Sequence, residues 1–322
     1  MSPSNSSEDQ ITYSVVVPVY GNERSVVTVV RRLEEVATQL VGALEVVFVV
    51  DGSPDTSLEV LQKELPRATI ASQLVAHSRN FGSFAAIRTG MGVARGEYIG
   101  VMAADLQEPA ELMLDFFAAL GSGTADVVVG RRESRADPAV NSLMSRTFWG
   151  LYRRTINRDI PRGGVDVFGC TREVAASVLA LREAHSSLVG LLYWVGYRRL
   201  EVPYQRVERT EGKSGWTLHK RVRYLLDSVF SFTDIPISLL STVGFVGSVL
   251  TLAASALVLV SYLTGRIHDV GYTPLMLVML FSTFVLLSGL GVVGSYVWRA
   301  YENSKQRPLS VAASHETFTT RD

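Results

Sequence analysis

From Ile235 to Gly265, and again from Val270 to Trp298, the chain carries no Asp, Glu, Lys, Arg or His. Either stretch is longer than the ~20 residues with which a helix crosses a bilayer core. Transmembrane helices are therefore expected at about 236–263 and 273–298, and a chain built that way is no ordinary soluble protein. Residues 1–12 are expected to be disordered, and 13–216 read as a water-soluble α/β domain. Residues 217–234 read as an amphipathic helix lying on the membrane, 235–299 as the helical pair, and 300–322 as a cytoplasmic tail, disordered after Pro308.

Charge is unevenly placed. The formal net charge is zero, yet Arg131–Arg162 holds eight Arg against three acids, and Arg198–Arg223 holds eight Lys or Arg against three acids. Such stretches are either solvated surface or places that meet phosphates or anionic head groups. The second runs straight into the membrane segment, which favours the latter reading there. One cysteine, Cys170, excludes a disulfide framework and a Cys-based zinc cluster. Met1–Gln10 has neither the basic start nor the apolar core of a signal peptide, so the soluble domain is expected in the cytoplasm. Lys220, Arg221 and Arg223 precede the first apolar stretch, and Arg299, Lys305 and Arg307 follow the second. The connection has only Arg266 and His268 as bases, so the positive-inside tendency puts both termini in the cytoplasm.

Before the membrane segment, short β-branched runs alternate with helical spacing. Strands are expected at Tyr13–Val19, Glu45–Val50, Ile70–Ala76, Tyr98–Ala103 and Asp126–Val129. Helices are expected at Val26–Val41, Thr56–Leu65, Phe81–Ala94 and Pro109–Leu120. The alternation implies a mostly parallel sheet with helices on both faces. A basic helix over Ala139–Asn157 and late strands at Val165–Cys170 and Arg199–Tyr204 follow. Asp51, His77–Asn80, Asp105 and Arg131 all lie just past strand ends, where such sheets bind ligands.

The first strand leads into Pro18-Val19-Tyr20-Gly21-Asn22-Glu23, which is neither a Gly-rich dinucleotide loop nor a P-loop. Asp51, in VVDGSPDTS, either accepts a hydrogen bond from a base N–H or makes the turn at Gly52-Ser53-Pro54. In MAADLQEP, Asp105 and Gln107 offer two oxygens to a hard divalent cation bridging a diphosphate, or Asp105 caps the next helix. Arg79 reaches a phosphate or pairs at the surface, and Arg131 with Arg132 clamps a second phosphate or is solvated. Arg206, Arg209, Lys213 and Ser214, in QRVERTEGKSGW, form a basic loop at head-group level, or a plain linker.

The ordered set VVVPVYGNE, VVDGSPDTS, SRNFGSFAAIRTG, AADLQEP and GKSGW, followed by two apolar helices, resembles the polyprenyl-phosphate glycosyltransferases of the GT-A, family 2 type. The resemblance runs from about Tyr13 to Tyr301 and implies a GT-A catalytic domain. It implies that Pro18, Tyr20, Glu23, Asp51 and Arg79 bind the nucleotide, and that Asp105 and Gln107 hold Mg²⁺ or Mn²⁺. It also implies catalytic roles for Asp105, Arg131 and Asp166, the last near the sugar. Arg131, Arg206, Arg209, Lys213 and Ser214 would then hold the acceptor phosphate. The partners implied are a nucleotide-diphosphate sugar, polyprenyl phosphate and membrane lipids, with no nucleic acid. The place implied is a bacterial inner or plasma membrane.

One position departs from that pattern. Where the family has Asp-x-Asp at the metal, this chain has Ala103 before Asp105. The departure leaves a second reading, a membrane adaptor or regulator that binds nucleotide sugar without turnover. UDP-glucose is the favoured donor, with UDP-N-acetylhexosamine, UDP-galactose and GDP-mannose open. A processive polysaccharide synthase is disfavoured, since there are two spans and no Gln-x-x-Arg-Trp. Gly244, Gly247, Gly289, Gly291 and Gly294 let helices approach closely, within the pair or between copies of a homo-oligomer.

Overall fold

The computed structural model describes residues 11–132, 161, 165–183, 187–206, 229–230, 235–264 and 272–319. Runs of valine set its centre. β1 (Ile11–Val19) and β2 (Ala43–Val50) are β-branched along most of their length, and their valines are buried. That is the pattern of strands covered on both faces. With β3 (Ala71–His77) and β4 (Tyr98–Val101) they form a parallel array in the order β3-β2-β1-β4. α1 (Val26–Ala37), α2 (Ser57–Glu64) and α4 (Leu112–Gly121) pack on one face, and α3 (Ser83–Val93) on the other. The strand order reverses between β1 and β4, and that is where such a sheet opens a crevice at its carboxyl edge.

Pro18 sits within β1, a place a central strand seldom tolerates. Met102 N–H donates to the Val16 carbonyl at 3.1 Å and Asp51 N–H to the Val19 carbonyl at 3.0 Å. Residue 18 therefore faces β4, and β4 pairs with β1 only as far as Val16 opposite Val101. The missing N–H of Pro18 falls where the ladder has already ended, at the mouth of the crevice.

Beyond β4 the sheet turns mixed. β6 (Phe168–Thr171) runs antiparallel to β4 and to β5 (Val127–Arg132), and β7 (Arg199–Tyr204) runs parallel to β5. β5 and β7 thus end on the same edge as β1–β4, and the residues just before β6 lie on that edge too. α5 (Arg172–Ala180) and α6 (Leu188–Trp194), which the sequence reading did not anticipate, join α3 on its face. The Thr171 side chain accepts from Val174 N–H and the Ser187 side chain from Gly190 N–H, so both helices are capped. Cys170 is buried in this core, and burial pushes its thiol up to about 12. It is packing, not chemistry.

α7 (Ile235–Leu263) has the expected position, α8 (Tyr272–Ser304) runs on into the segment expected as tail, and large apolar side chains such as Phe245, Leu257, Leu286 and Leu290 are exposed along them. Among the described residues, no helix is long and apolar enough to cross a membrane. Both helices contain positions whose side chains fall outside that description, so their reading as spans rests on the unbroken sequence. A Cβ at Gly289 would meet Leu240 Cδ1 at 3.2 Å, which assigns that glycine to packing within the pair.

The tail corrects the sequence reading. Instead of being disordered after Pro308, the chain forms β8 (Ala312–Phe318), antiparallel on the free edge of β3 from Phe318 opposite Ser72 to Ala312 opposite His77. The segment AASHETF has neither an apolar alternation nor a strong strand propensity. It is a strand because β3 offers an unpaired edge. The expected basic helix at 139–157 and almost all of the amphipathic helix at 217–234 lie outside the described residues.

Candidate active site

Two loops form the lips of the crevice between β1 and β4. The loop after β1 is held by the loop after β2. Gly21 N–H donates to Ser53 Oγ at 2.8 Å, Asn22 N–H to Ser57 Oγ at 3.2 Å, and Glu23 N–H to Asp55 Oδ2 at 3.0 Å. Asp55 also accepts from the Ser53 and Ser57 hydroxyls and from Ser57 N–H. Burial alone would raise its carboxyl, but these hydrogen bonds outweigh burial and hold it below the usual range. The Glu23 carboxylate is spent on the Thr56 N–H and hydroxyl, at 3.2 and 2.8 Å. Tyr20 stays exposed, and Ser25 Oγ bridges to the Ala104 carbonyl at 2.7 Å, linking one lip to the other.

Asp51 is buried at the end of β2. Its Oδ1 accepts from Phe81 N–H at 2.9 Å and meets His77 Nδ1 at 2.8 Å; its Oδ2 accepts from Gly82 N–H at 2.7 Å. Burial works to raise the Asp51 carboxyl, and these partners overcome it, so the group sits below its ordinary value. The 78–82 loop crosses directly over Gly52, whose φ is +57° and where a Cβ would lie 2.4 Å from the Arg79 and Asn80 backbone. Only glycine fits there. Three of about four acceptor positions on Asp51 are thus filled by its own chain, leaving one on Oδ2. Arg79 is exposed, donates to the Asn80 carbonyl, and stacks on Phe81 with its guanidinium carbon 4.0 Å from the ring centroid.

The opposite lip, after β4, carries the carboxylates. Asp105 is half-buried, Leu106 turns with φ +55°, and Gln107 N–H reaches back to Asp105 Oδ1 at 3.4 Å. Glu108 is buried, its Oε1 is 3.6 Å from Arg206 Nε, and its Oε2 has no hydrogen-bond partner among the described residues. Burial and the nearby Asp105 charge push the Glu108 carboxyl up; Arg206 and Arg132 pull the other way without prevailing. Arg206 also donates to Gln107 Oε1. From the neighbouring strands, Arg132 pairs with Asp166 and donates to the Tyr204 hydroxyl at 3.4 Å. Burial raises the Tyr204 phenol, chiefly, with the Glu108 charge adding to it.

Asp105, Gln107, Glu108 and Arg206 adjoin one another on this lip, and Arg132 with Asp166 lies beside them. Arg131 does not join them. It pairs with Glu201 on β7 at 3.3 Å, and its neighbour Arg132 enters the cluster instead. Strand alternation explains this. Val128, Gly130 and Arg132 face the side that holds Tyr204 and Val167, whereas Arg131 faces the other. Arg209, Lys213 and Ser214 lie outside the described residues. Glu108 and Tyr204 were not chosen as site residues from sequence, although each sits within a few residues of a chosen one.

The oxygens available to a hard divalent cation are the Asp105 carboxylate and the unpartnered Glu108 oxygen, with the Gln107 amide oxygen beside them engaged by Arg206. Among the described residues no group of three His, Cys, Asp or Glu forms a metal cage.

A mixed sheet with a carboxylate lip at its switch point and arginines on adjoining strands fits a GT-A-like α/β fold. The chain belongs to glycosyltransferase family 2: the family model described as glycosyl transferase family 2 matches residues 14–179. It is 32% identical to an uncharacterised glycosyltransferase of Synechocystis, over 93% of this chain and 94% of that one. It is 29% identical to the bactoprenol glucosyl transferase of Shigella phage SfV, over 92% of this chain and 96% of that protein. It is also 29% identical to the undecaprenyl-phosphate 4-deoxy-4-formamido-L-arabinose transferase of Edwardsiella ictaluri, over 92% and 91% respectively. The protein is accordingly an enzyme of the glycosyltransferase class.

Proposed function

We infer that the chain transfers a sugar from a nucleotide-diphosphate sugar to the phosphate of a polyprenol, at the cytoplasmic face of a membrane. The observation that carries this reading is the convergence of Asp105, Gln107, Glu108, Asp166, Arg132 and Arg206 at the carboxyl edge beside β1 and β4. Carboxylates on one lip and guanidiniums opposite suit a substrate that is itself a chain of phosphates. A Mg²⁺ or Mn²⁺ ion held by Asp105 and Gln107 would supply charge neutralisation for a departing nucleotide diphosphate.

The acceptor phosphate is an anion at neutral pH, so the reaction needs no strong general base. Its oxygen attacks the anomeric carbon as the diphosphate leaves on the opposite side, and the configuration inverts. Arg132 and Arg206 orient phosphate oxygens and stabilise charge as it moves. Asp166 aims Arg132, and Asp51 retains one acceptor position for a base N–H. Arg209, Lys213 and Ser214 follow Arg206 in sequence, and their charge and hydroxyl suit the acceptor phosphate. The glucosyl and arabinosyl lipid transferases among the relatives support a polyprenyl acceptor, and UDP-glucose is the favoured donor.

The two apolar helices support a membrane hairpin. At ~1.5 Å per residue both exceed the ~30 Å hydrocarbon core. The chain returns from α8 to pair with β3, so the helical pair leaves and rejoins the same side. Such an anchor confines the site to the plane of its lipid acceptor and raises the effective concentration of the encounter.

The test is to incubate the purified full chain with undecaprenyl phosphate, Mg²⁺ or Mn²⁺, and labelled UDP-glucose, UDP-galactose, UDP-N-acetylglucosamine or GDP-mannose. Label that partitions with the lipid, and is lost in Asp105→Ala, is the expected result. Nucleotide binding without transfer from any donor would favour the regulator reading that Ala103 raises.

A further inference from the structure

The last strand does more than cover an edge. It is hydrogen-bonded into the loop that holds Asp51. His77, the final residue of β3, is buried, with Nδ1 on Asp51 Oδ1 at 2.8 Å and Nε2 on Thr89 Oγ1 at 2.9 Å. Thr89 Oγ1 in turn lies 2.7 Å from Ser310 Oγ, and Ser78 N–H donates to the Val311 carbonyl at 2.9 Å. The carboxylate can only accept, which assigns the Nδ1 proton to the bond with Asp51. Nε2 shares a hydrogen bond with the Thr89 hydroxyl, and that hydroxyl shares the next with Ser310. Each bond in such a line polarises the next. On the other side of His77, Asp51 receives the Phe81 and Gly82 amides and so fixes the 78–82 loop.

We propose that the C-terminal segment 308–318 is a positioning element of the donor side of the site, acting through Ser310, Thr89 and His77 on Asp51 and the 78–82 loop. Pairing of β8 with β3 sets the height of Ser310; the hydroxyl line sets the ring of His77; the ring sets Asp51. Chain that follows the last long helix thereby completes a pocket formed by the first eighty residues. The role in donor binding rests on the function proposed above, whereas the ordering of the loop does not, and the experiment separates them.

Amide hydrogen exchange on the full chain reads the loop without any substrate. Thr89→Val keeps the side-chain shape and removes the hydroxyl. It is expected to speed exchange at Phe81 and Gly82 by about tenfold, the scale of one lost buried hydrogen bond, while the β2 amides keep their protection. Thr89→Ser is expected to restore the native rate. Deletion of residues 308–322 should do what Thr89→Val does, and a synthetic peptide of residues 308–319 should reverse it. If that deletion unprotects the whole sheet, Thr89→Val decides. Unchanged exchange at Phe81 and Gly82 in Thr89→Val overturns the proposal. Calorimetry with UDP and GDP in the presence of Mn²⁺ then tests the donor link: Kd rises in Thr89→Val and recovers in Thr89→Ser. Faster loop exchange with an unaltered nucleotide Kd would overturn the role in donor binding, and a native chain that binds neither nucleotide would overturn the donor reading itself.

Discussion

Arg131 and Arg132 are neighbours with different fates. One pairs with Glu201 on β7, and the other enters the carboxylate cluster with Asp166. Both follow the same valine run, and the sequence shows a basic pair at a strand end without showing which member faces the crevice. The parity of a strand decides that, and the parity was hidden because β5 continues to Arg132 instead of stopping at Val129. Arg132→Ala is expected to lower kcat by about 10²–10³-fold, the usual loss for a group that stabilises developing charge. Arg131→Ala is expected to stay within about twofold, since an exposed ion pair contributes little. Steady-state assays of the two variants check both. Asp105 and Gln107 were legible because a carboxylate and an amide two residues on, after a strand, form a local pattern. Glu108 was not chosen because its importance comes from burial against Arg206, a residue distant in sequence.

Asp51 also carries a pH prediction. Its folded value lies below the ordinary one despite burial, because His77, Phe81 and Gly82 favour the anion. The sign follows from proton linkage. The unfolded chain binds that proton more readily, so the stabilisation is full above the ordinary aspartate value of about 4 and is lost as pH falls through the lowered folded value. Thermal melts of the full chain should lose stability steeply below about pH 4. Asp51→Asn should melt lower at pH 7 and show a shallower acid limb. An identical acid limb in the variant would contradict the assignment.

At the scale of elements, period and composition located β1–β7 and α1–α4 to within a few residues. Hydrophobic strands and amphipathic helices carry their own signal. β8 carried none, because an edge strand of Ala, Ser, His and Glu is specified by its partner. α5 and α6 carried little signal for a related reason: they are short, nine and seven residues. Packing between elements gives a stability prediction. Gly90 brings α3 onto β1, and a Cβ there would lie 2.3 Å from Val16 Cγ1 and 3.2 Å from Val49 Cγ2. Both valines are buried in the central strands and cannot give way. Gly90→Ala is expected to destabilise by about 1–3 kcal/mol despite the better helix propensity of alanine. A lowered denaturant midpoint with an unchanged slope would show it.

Among the described residues, the sheet's working edge collects residues from β1 through β7, and two apolar helices are followed by a strand that returns to the sheet. Parallel strands put Asp51, Asp105 and Arg132 on one edge, and the reversal of β6 brings Asp166 to it. The account stands on this edge being where a nucleotide and a lipid phosphate meet. The most direct measurement is a structure of the full chain in a lipid nanodisc with UDP, Mn²⁺ and undecaprenyl phosphate. The expected result is Mn²⁺ on Asp105 and Gln107 against the diphosphate, with the lipid phosphate within reach of Arg132 and Arg206. A nucleotide bound away from the β1–β4 crevice, or a lipid phosphate on the far side of the sheet from Asp105, would contradict it.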